Sequence, residues 1–266
     1  DLIEYLRTVE IKRVNVGKGV FQLELYGDKK LIEEFNAELK ISNKAKYVVK
    51  NVDGYKALNY TKDGSTFKFK LKNQGKVYFH SNKSKFKDVS KFTDRKEMIE
   101  ELNGRHIILG VTETKYNPNG KVTRAQLAVM IARALELEPV SESIKFSDTK
   151  GKWYEKDVQA LFDAGMISGV SKDKFNGDEK LTRQQAVLML NQIIEKHSSS
   201  EISKPSGESK FLDANKISEN AKLAVERLEG SGIISGYEGY FNPQADLTRA
   251  QIAKMLHGVL VLTGNM

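Results

Sequence analysis

Three arginines stand where a helix dipole would sooner have an acid. Arg124, Arg183 and Arg249 each follow a threonine that opens an apolar helical pattern: "VTRAQLAVM" from Val122, "LTRQQAVLM" from Leu181 and "LTRAQIAKM" from Leu247. The first helical position lies at the positive end of the dipole, which favours Asp or Glu. A guanidinium placed beside several unpaired backbone N–H groups makes a place for an anion, a carboxylate or a phosphate. The same charge could be met internally, by an ion pair with the aspartate that opens each repeated segment (Asp88, Asp148 or Asp213). On physical grounds the two readings stand level.

No other reactive side chains fall into a pattern. His80, His106, His197 and His257 are scattered without ligand spacing, so no metal site is expected. Cysteine is absent, which excludes disulfides, thiol nucleophiles and thiolate metal centres and leaves the compartment open. There is no G-x-S-x-G, no H-E-x-x-H and no phosphate loop. The carboxylates Glu33, Glu34 and Glu38 have helical spacing, which more often marks a wet face than an acid–base pair. Neither catalysis nor a cofactor is expected.

The elements that carry the arginines are written three times. Thr-x-x-Gln is a capping box, in which the threonine hydroxyl accepts from the third helical N–H and the glutamine reaches back. Thr123 with Gln126, Thr182 with Gln185 and Thr248 with Gln251 fit it. Apolar residues follow at helical spacing, as Leu127, Met130, Ile131, Ala134 and Leu135 in the first segment, with counterparts running to Ile194 and Leu260. Around each box the same words recur in order. An F-x-D opens at Phe86, Phe146 and Phe211; "IILG", "MISG" and "IISG" begin at Ile107, Met166 and Ile233; an aromatic-Asn step begins at Tyr116, Phe175 and Phe241. Fixed-period self-similarity is the mark of a repeat architecture. An earlier helix in the later segments, over 153–165 and 219–232, ends at glycine. A helix–loop–helix of this size cannot bury both stripes alone, so three should share one core.

The order F-x-D, tryptophan, G-[IM]-I-x-G, F-x-P, T-R-A-[EQ] resembles the S-layer homology domain, over about residues 84–262. The resemblance implies a pseudo-threefold helical assembly with a three-helix core and grooves between neighbouring repeats. It also implies that these grooves bind a secondary cell-wall polymer, often through a terminal pyruvylated N-acetylmannosamine whose carboxylate an arginine at a helix start can hold. The polymer-binding residues it points to are Arg124, Arg183 and Arg249, the aspartates Asp148 and Asp213, and Trp153. The Ser-Gly steps Ser168–Gly169 and Ser235–Gly236 join them.

Departures from the family pattern matter. The usual T-R-A-E carries Gln here, which keeps the cap and removes a charge. The tryptophan survives only as Trp153, with Phe92 and Ile217 as its counterparts, and core packing is the expected role for it. The first repeat reads "NGRHIILG", two residues longer between its glycines than "AGMISG", with Leu109 in place of the serine. Arg183 and Arg249 are therefore expected to matter more to binding than Arg124.

The expected fold class is α+β: a small β-rich, immunoglobulin-like domain over 1–80, then repeats over 84–138, 144–197 and 211–262, with a flexible linker over 198–210. "VFQLELY" (20–26) and "TFKFKLK" (66–72) alternate as half-buried strands do. "NQG" (73–75) reads as the turn of a hairpin into "KVYFH", and 29–40 as a short helix or loop. Lys68, Lys70 and Lys72 read as a solvated sheet face sooner than a ligand surface.

The chain of 266 residues carries a formal net charge of +8, with 16 Lys/Arg against 10 Asp/Glu in residues 1–80. The repeats are nearly neutral and the lysine-rich strand lacks a stacking platform, so nucleic-acid binding is not expected. No apolar run reaches the ~20 residues of a membrane span. The opening "DLIEYLRTVE" lacks the pattern of a signal peptide, so the sequence reads as cytosolic or as a mature piece of something larger. The function expected from the resemblance is non-covalent anchoring of a surface protein to the wall of a Gram-positive bacterium, from a secreted, S-layer-like location, with self-assembly through the parent protein. The alternative is a wall-attached fragment of a surface hydrolase.

Overall fold

The computed structural model describes residues 9–17, 20–27, 30–31, 36–51, 55–72, 75–81, 84–197 and 209–266. The chain divides into two compact units, one of residues 1–84 with Asn103–Ile107 and one of Lys85–Leu102 with Ile108–Met266.

The first unit is antiparallel β. Its strands are β1 (Val9–Gly17), β2 (Val20–Gly27), β3 (Lys30–Leu31), β4 (Asn36–Ser42), β5 (Tyr47–Asn51), β6 (Tyr55–Lys56), β7 (Tyr60–Asp63), β8 (Thr66–Lys72) and β9 (Gly75–His80). One sheet runs β1-β2-β9-β5-β6 with β3 on β2, and the other runs β4-β8-β7. Between them lies a core of Val48, Leu58, Tyr60, Phe67, Phe69, Val77 and Phe79. Alternation places the side chains of β8: Phe67 and Phe69 are buried while Lys68 and Lys70 are exposed. Lys70 sits opposite Glu38, and Lys68 opposite Thr61 and Lys40, as on a wet sheet face. The side chain of Lys72 lies outside the described residues.

Two local expectations fail here. Residues 29–40 are not helical where described, because 36–42 form β4 and pair along β8. Strands β8 and β9 do not form a hairpin. They belong to different sheets, so that Phe67 meets Phe79 edge to face across the core, ring centroids 5.3 Å apart, instead of beside it along one sheet. A run of alternating residues defines a strand and its inner face but not its partner.

The second unit is helical: α1 (Lys96–Gly104), α2 (Arg124–Ala134), α3 (Glu155–Asp163), α4 (Arg183–His197), α5 (Glu219–Gly230) and α6 (Arg249–Leu262). The three arginine-led helices α2, α4 and α6 all touch one another, and their apolar stripes are buried from Leu127 through Leu260, with Leu135 half-buried at a helix end. The first helix of a repeat packs on the second helix of the repeat before it, α3 on α2 and α5 on α4. A buried Arg227 on α5, bonded to Asn191 and Glu195 of α4, pins the latter pair. Most of the linker expected over 198–210 lies outside the described residues.

The loops ahead of the core helices are hydrogen-bonded in a ring. Val122 N–H donates to Leu247 O, Leu247 N–H to Leu181 O and Leu181 N–H to Val122 O, at 3.1, 3.3 and 2.9 Å. The helix starts extend the same circuit. Arg124 N–H donates to Glu179 O, Arg183 N–H to Ala245 O and Arg249 N–H to Gly120 O. The first amides of each core helix, which have no partner within their own helix, are thus satisfied by the following repeat.

Candidate functional site

Each core helix starts with the capping box that its sequence spells. Gln126, Gln185 and Gln251 donate their backbone N–H to the threonine hydroxyl at 3.3, 3.4 and 3.3 Å. Their side-chain oxygens accept the threonine N–H at 3.2, 3.0 and 2.8 Å. Glutamine completes the cap without the charge of glutamate.

The cap leaves the arginine side chain to cross into the next repeat. Arg124 lies over the Phe175 ring at 4.8 Å, Arg183 over Phe241 at 5.2 Å and Arg249 over Tyr116 at 4.4 Å. These are cation–π distances, and the flat guanidinium suits them. Burial away from water holds all three guanidinium groups below the usual arginine range. For Arg183 the nearby Asp213 opposes this, and for Arg249 Tyr116 and Asp88 do. Desolvation penalises the charged form, and an incoming anion would relieve that penalty.

The aspartates do not form the ion pairs that sequence left open. Each grips the aromatic-Asn step of its own repeat through two backbone N–H groups. Asp88 accepts from Tyr116 and Asn117 at 2.9 and 2.8 Å, Asp148 from Phe175 and Asn176 at 2.9 and 2.8 Å, and Asp213 from Phe241 and Asn242 at 2.8 and 2.9 Å. The three asparagines take left-handed backbone angles of 60°, 55° and 55°, which turn both amides toward one carboxylate. Asp213 is itself buried. Asp148, Asp213 and Asp88 therefore set the aromatics under Arg124, Arg183 and Arg249 in turn.

The Ser-Gly steps supply the opposite wall. Arg124 Nη2 donates to Ser168 O at 2.8 Å, and Arg183 shares a groove with Ser235 and Gly236. A side chain on Gly169 or Gly236 would collide with the backbone of the following loop and with Phe146 or Phe211, so both are glycines of close approach. The groove at Arg124 holds about 350 Å³ and is lined by Ser168, Gln185, Gln192 and Asn220 among others. The groove at Arg183 holds about 140 Å³. Nε of Arg124 and Nε of Arg183 are buried without a hydrogen-bond partner.

Arg249 is different. Its Nε donates to Tyr116 O at 2.8 Å, its Nη2 to Leu109 O at 2.6 Å, and only 7% of its surface is exposed. The premise of the expected ranking of the arginines does not hold. The ranking assumed that each arginine works with the Ser-Gly step of its own repeat, whereas the crossing pairs Arg124 with Ser168, Arg183 with Ser235 and Arg249 with Leu109.

Two further corrections concern the first repeat and Trp153. The first repeat has no extra residues at its helix end. His106, at φ 59°, takes the left-handed place of Gly165 and Gly232, at 66° and 70°, and Gly104 is still in α1. Matching glycine to glycine hid this, since a residue other than glycine is uncommon in the left-handed region, although His is one of those enriched there. Arg105 belongs to the first unit: its guanidinium lies 4.0 Å from the Tyr60 ring and donates to Tyr60 O at 3.1 Å. Trp153 is not a core residue. It is 63% exposed, and the neighbouring Tyr154 is buried in its stead.

Among the described residues no group of His, Cys, Asp and Glu could hold a metal ion, and no helix is long and apolar enough to cross a membrane.

Comparison with known proteins agrees with this geometry. The model of the S-layer homology domain matches residues 85–128, 145–187 and 210–253. Similar proteins include an endoglucanase of Bacillus sp. (strain KSM-635), 34% identical over 68% of this chain and 19% of its own length. An amylopullulanase of Thermoanaerobacterium thermosulfurigenes is 35% identical over 64% of this chain and 9% of its own. The surface-layer 125 kDa protein of Lysinibacillus sphaericus is 30% identical over 59% of this chain and 13% of its own. The chain thus spans a fifth or less of these relatives. Domains of this kind anchor surface proteins to the cell wall. The chain carries three S-layer homology domains and belongs to that family.

Proposed function

We propose that residues 84–262 fasten a larger surface protein to the wall of a Gram-positive bacterium by gripping an anionic secondary cell-wall polymer. The repeats run over 84–138, 144–197 and 211–262 and act as a pseudo-threefold assembly on a three-helix core. The cyclic hydrogen bonding supports this arrangement. The ligand group is a carboxylate, such as the pyruvate ketal of a terminal N-acetylmannosamine, and it is held by Arg124 and Arg183.

One observation carries the reading. Two desolvated guanidinium groups, each with a buried Nε lacking a partner, open on grooves that no carboxylate lines. A planar fork of N–H donors matches a carboxylate. The experiment is a pull-down on purified wall sacculi before and after the polymer is stripped from peptidoglycan. Binding should need the polymer and fall when pyruvate is removed, by about tenfold to a hundredfold for a charge-assisted pair of roughly 1.5–3 kcal/mol. Equal binding to stripped walls would refute it.

A second reading concerns the parent protein. Relatives named as an endoglucanase and an amylopullulanase favour a wall-attached hydrolase, with catalysis outside the anchoring repeats. The immunoglobulin-like assignment of the β-rich unit rests on two antiparallel sheets around one core.

A further inference from the structure

The two open grooves differ in charge and in the surface each offers to a sugar ring. The Arg183 groove is lined by three cations, Arg183, Arg95 and Lys254, and its rim carries Tyr237, 72% exposed. Arg95 lies 3.2 Å from Asp94, which offsets one of the three charges. The Arg124 groove is lined by one cation and by the neutral amides Gln185, Gln192 and Asn220, with Lys196 Nζ beside Gly165 at one end. Each groove has an aspartate clamp behind its aromatic, Asp148 or Asp213, and Asp213 also acts on Arg183, offsetting part of a second charge there. The position after the step glycine is Val170 at the first groove and Tyr237 at the second.

We propose that the grooves read different ends of the polymer chemistry. The Arg183 groove takes a sugar bearing two negative charges, a phosphate monoester or a second acidic group, with the ring seated on Tyr237. The Arg124 groove takes a sugar with one negative charge and satisfies its hydroxyl and amide groups through glutamine and asparagine. Lys254 is a point charge that can follow a tetrahedral phosphate, while the Arg183 fork holds two of its oxygens. Tyrosine supplies a flat amphipathic platform with few rotamers to freeze. Amides offer both donors and acceptors and so match an uncharged polyol better than a cation does. The inference rests on the anchoring reading for the class of ligand.

Two probes separate the grooves: the methyl glycoside of N-acetylmannosamine carrying a pyruvate ketal, and the same glycoside carrying a phosphate monoester. Arg124→Ala leaves the Arg183 groove, and Arg183→Ala leaves the other. By calorimetry at pH 8, Arg124→Ala should prefer the phosphate ester by about three- to fivefold, the scale of one added partly exposed charge pair. Arg183→Ala should bind the two within about twofold. Lys254→Gln on the Arg124→Ala background should remove the preference, whereas Tyr237→Ala should weaken both glycosides alike. Thermal unfolding confirms that each variant is folded. No preference in Arg124→Ala, or no binding of the phosphate ester to it, overturns the proposal. The sacculus pull-down judges anchoring separately, since wild-type protein can hold the wall while this preference is absent.

Discussion

Arg249 of the third repeat lies with its guanidinium 4.4 Å from the centre of the Tyr116 ring of the first, and the Tyr116 hydroxyl donates back to Arg249 O at 3.0 Å. The pair closes the ring of repeats on itself. Burial, eased only in part by the arginine's charge, pushes the Tyr116 hydroxyl up to about 12, so it stays a donor across the physiological range.

That relationship sets the first prediction. Arg249→Ala leaves the carbonyls of Leu109 and Tyr116 without their donor and should cost about 2–4 kcal/mol of stability, with little direct effect on polymer affinity in the folded protein. Arg124→Ala and Arg183→Ala should do the reverse, weakening polymer binding about tenfold or more at nearly unchanged melting temperature. Thermal unfolding paired with wall binding separates the classes. A binding defect confined to folded Arg249→Ala would invert them.

Trp153→Ala should leave stability within about 0.5 kcal/mol, the range of exposed positions. A fall in unfolding midpoint comparable to a core truncation, several kcal/mol, would mean that the indole is buried in solution.

The turn Tyr237-Glu238-Gly239-Tyr240 is closed by paired 2.9 Å hydrogen bonds between the tyrosines, with φ 49° at Glu238 and 82° at Gly239. Two positive angles in a two-residue loop favour Asn-Gly. Glu238→Asn should stabilise by about 0.5–1 kcal/mol, read as a higher melting temperature.

Asp163 accepts from the backbone N–H groups of Ser141 and Val140, the Ser141 hydroxyl and Gln159, and these bonds hold its carboxyl down to about 2. A carboxyl depressed in the folded state stabilises above its unfolded value, near 3.8, and loses that contribution as pH falls toward about 2. Asp88 and Asp148 act in the same direction: burial alone would raise them, but their backbone donors together outweigh it. Acid titration of unfolding should show stability falling between about pH 4 and pH 2, and Asp163→Asn should flatten part of the slope.

The helix starts were legible in the sequence because a capping box is local chemistry. Thr123, Thr182 and Thr248 meet glutamines three residues on, and no distant contact is needed to make that hydrogen bond. The buried stripes were legible for the same reason, since a period of 3.6 residues places Leu127, Met130 and Ile131 on one face of any helix. Where the arginines go was not legible. Arg124 reaches Ser168 across 44 residues and Arg249 reaches Leu109 across 140, and which carbonyl each meets depends on how the three hairpins close their ring. Nor could sequence decide between an ion pair and an open arginine, because each aspartate is turned toward two amides some 28 residues further on in its own repeat. Likewise alternation marked β8 and β9 as strands, but their assignment to separate sheets followed from Phe67 and Phe79 sharing one core. Local pattern decides the elements and their faces. Long-range packing decides which groups are left without partners, and those groups make the grooves.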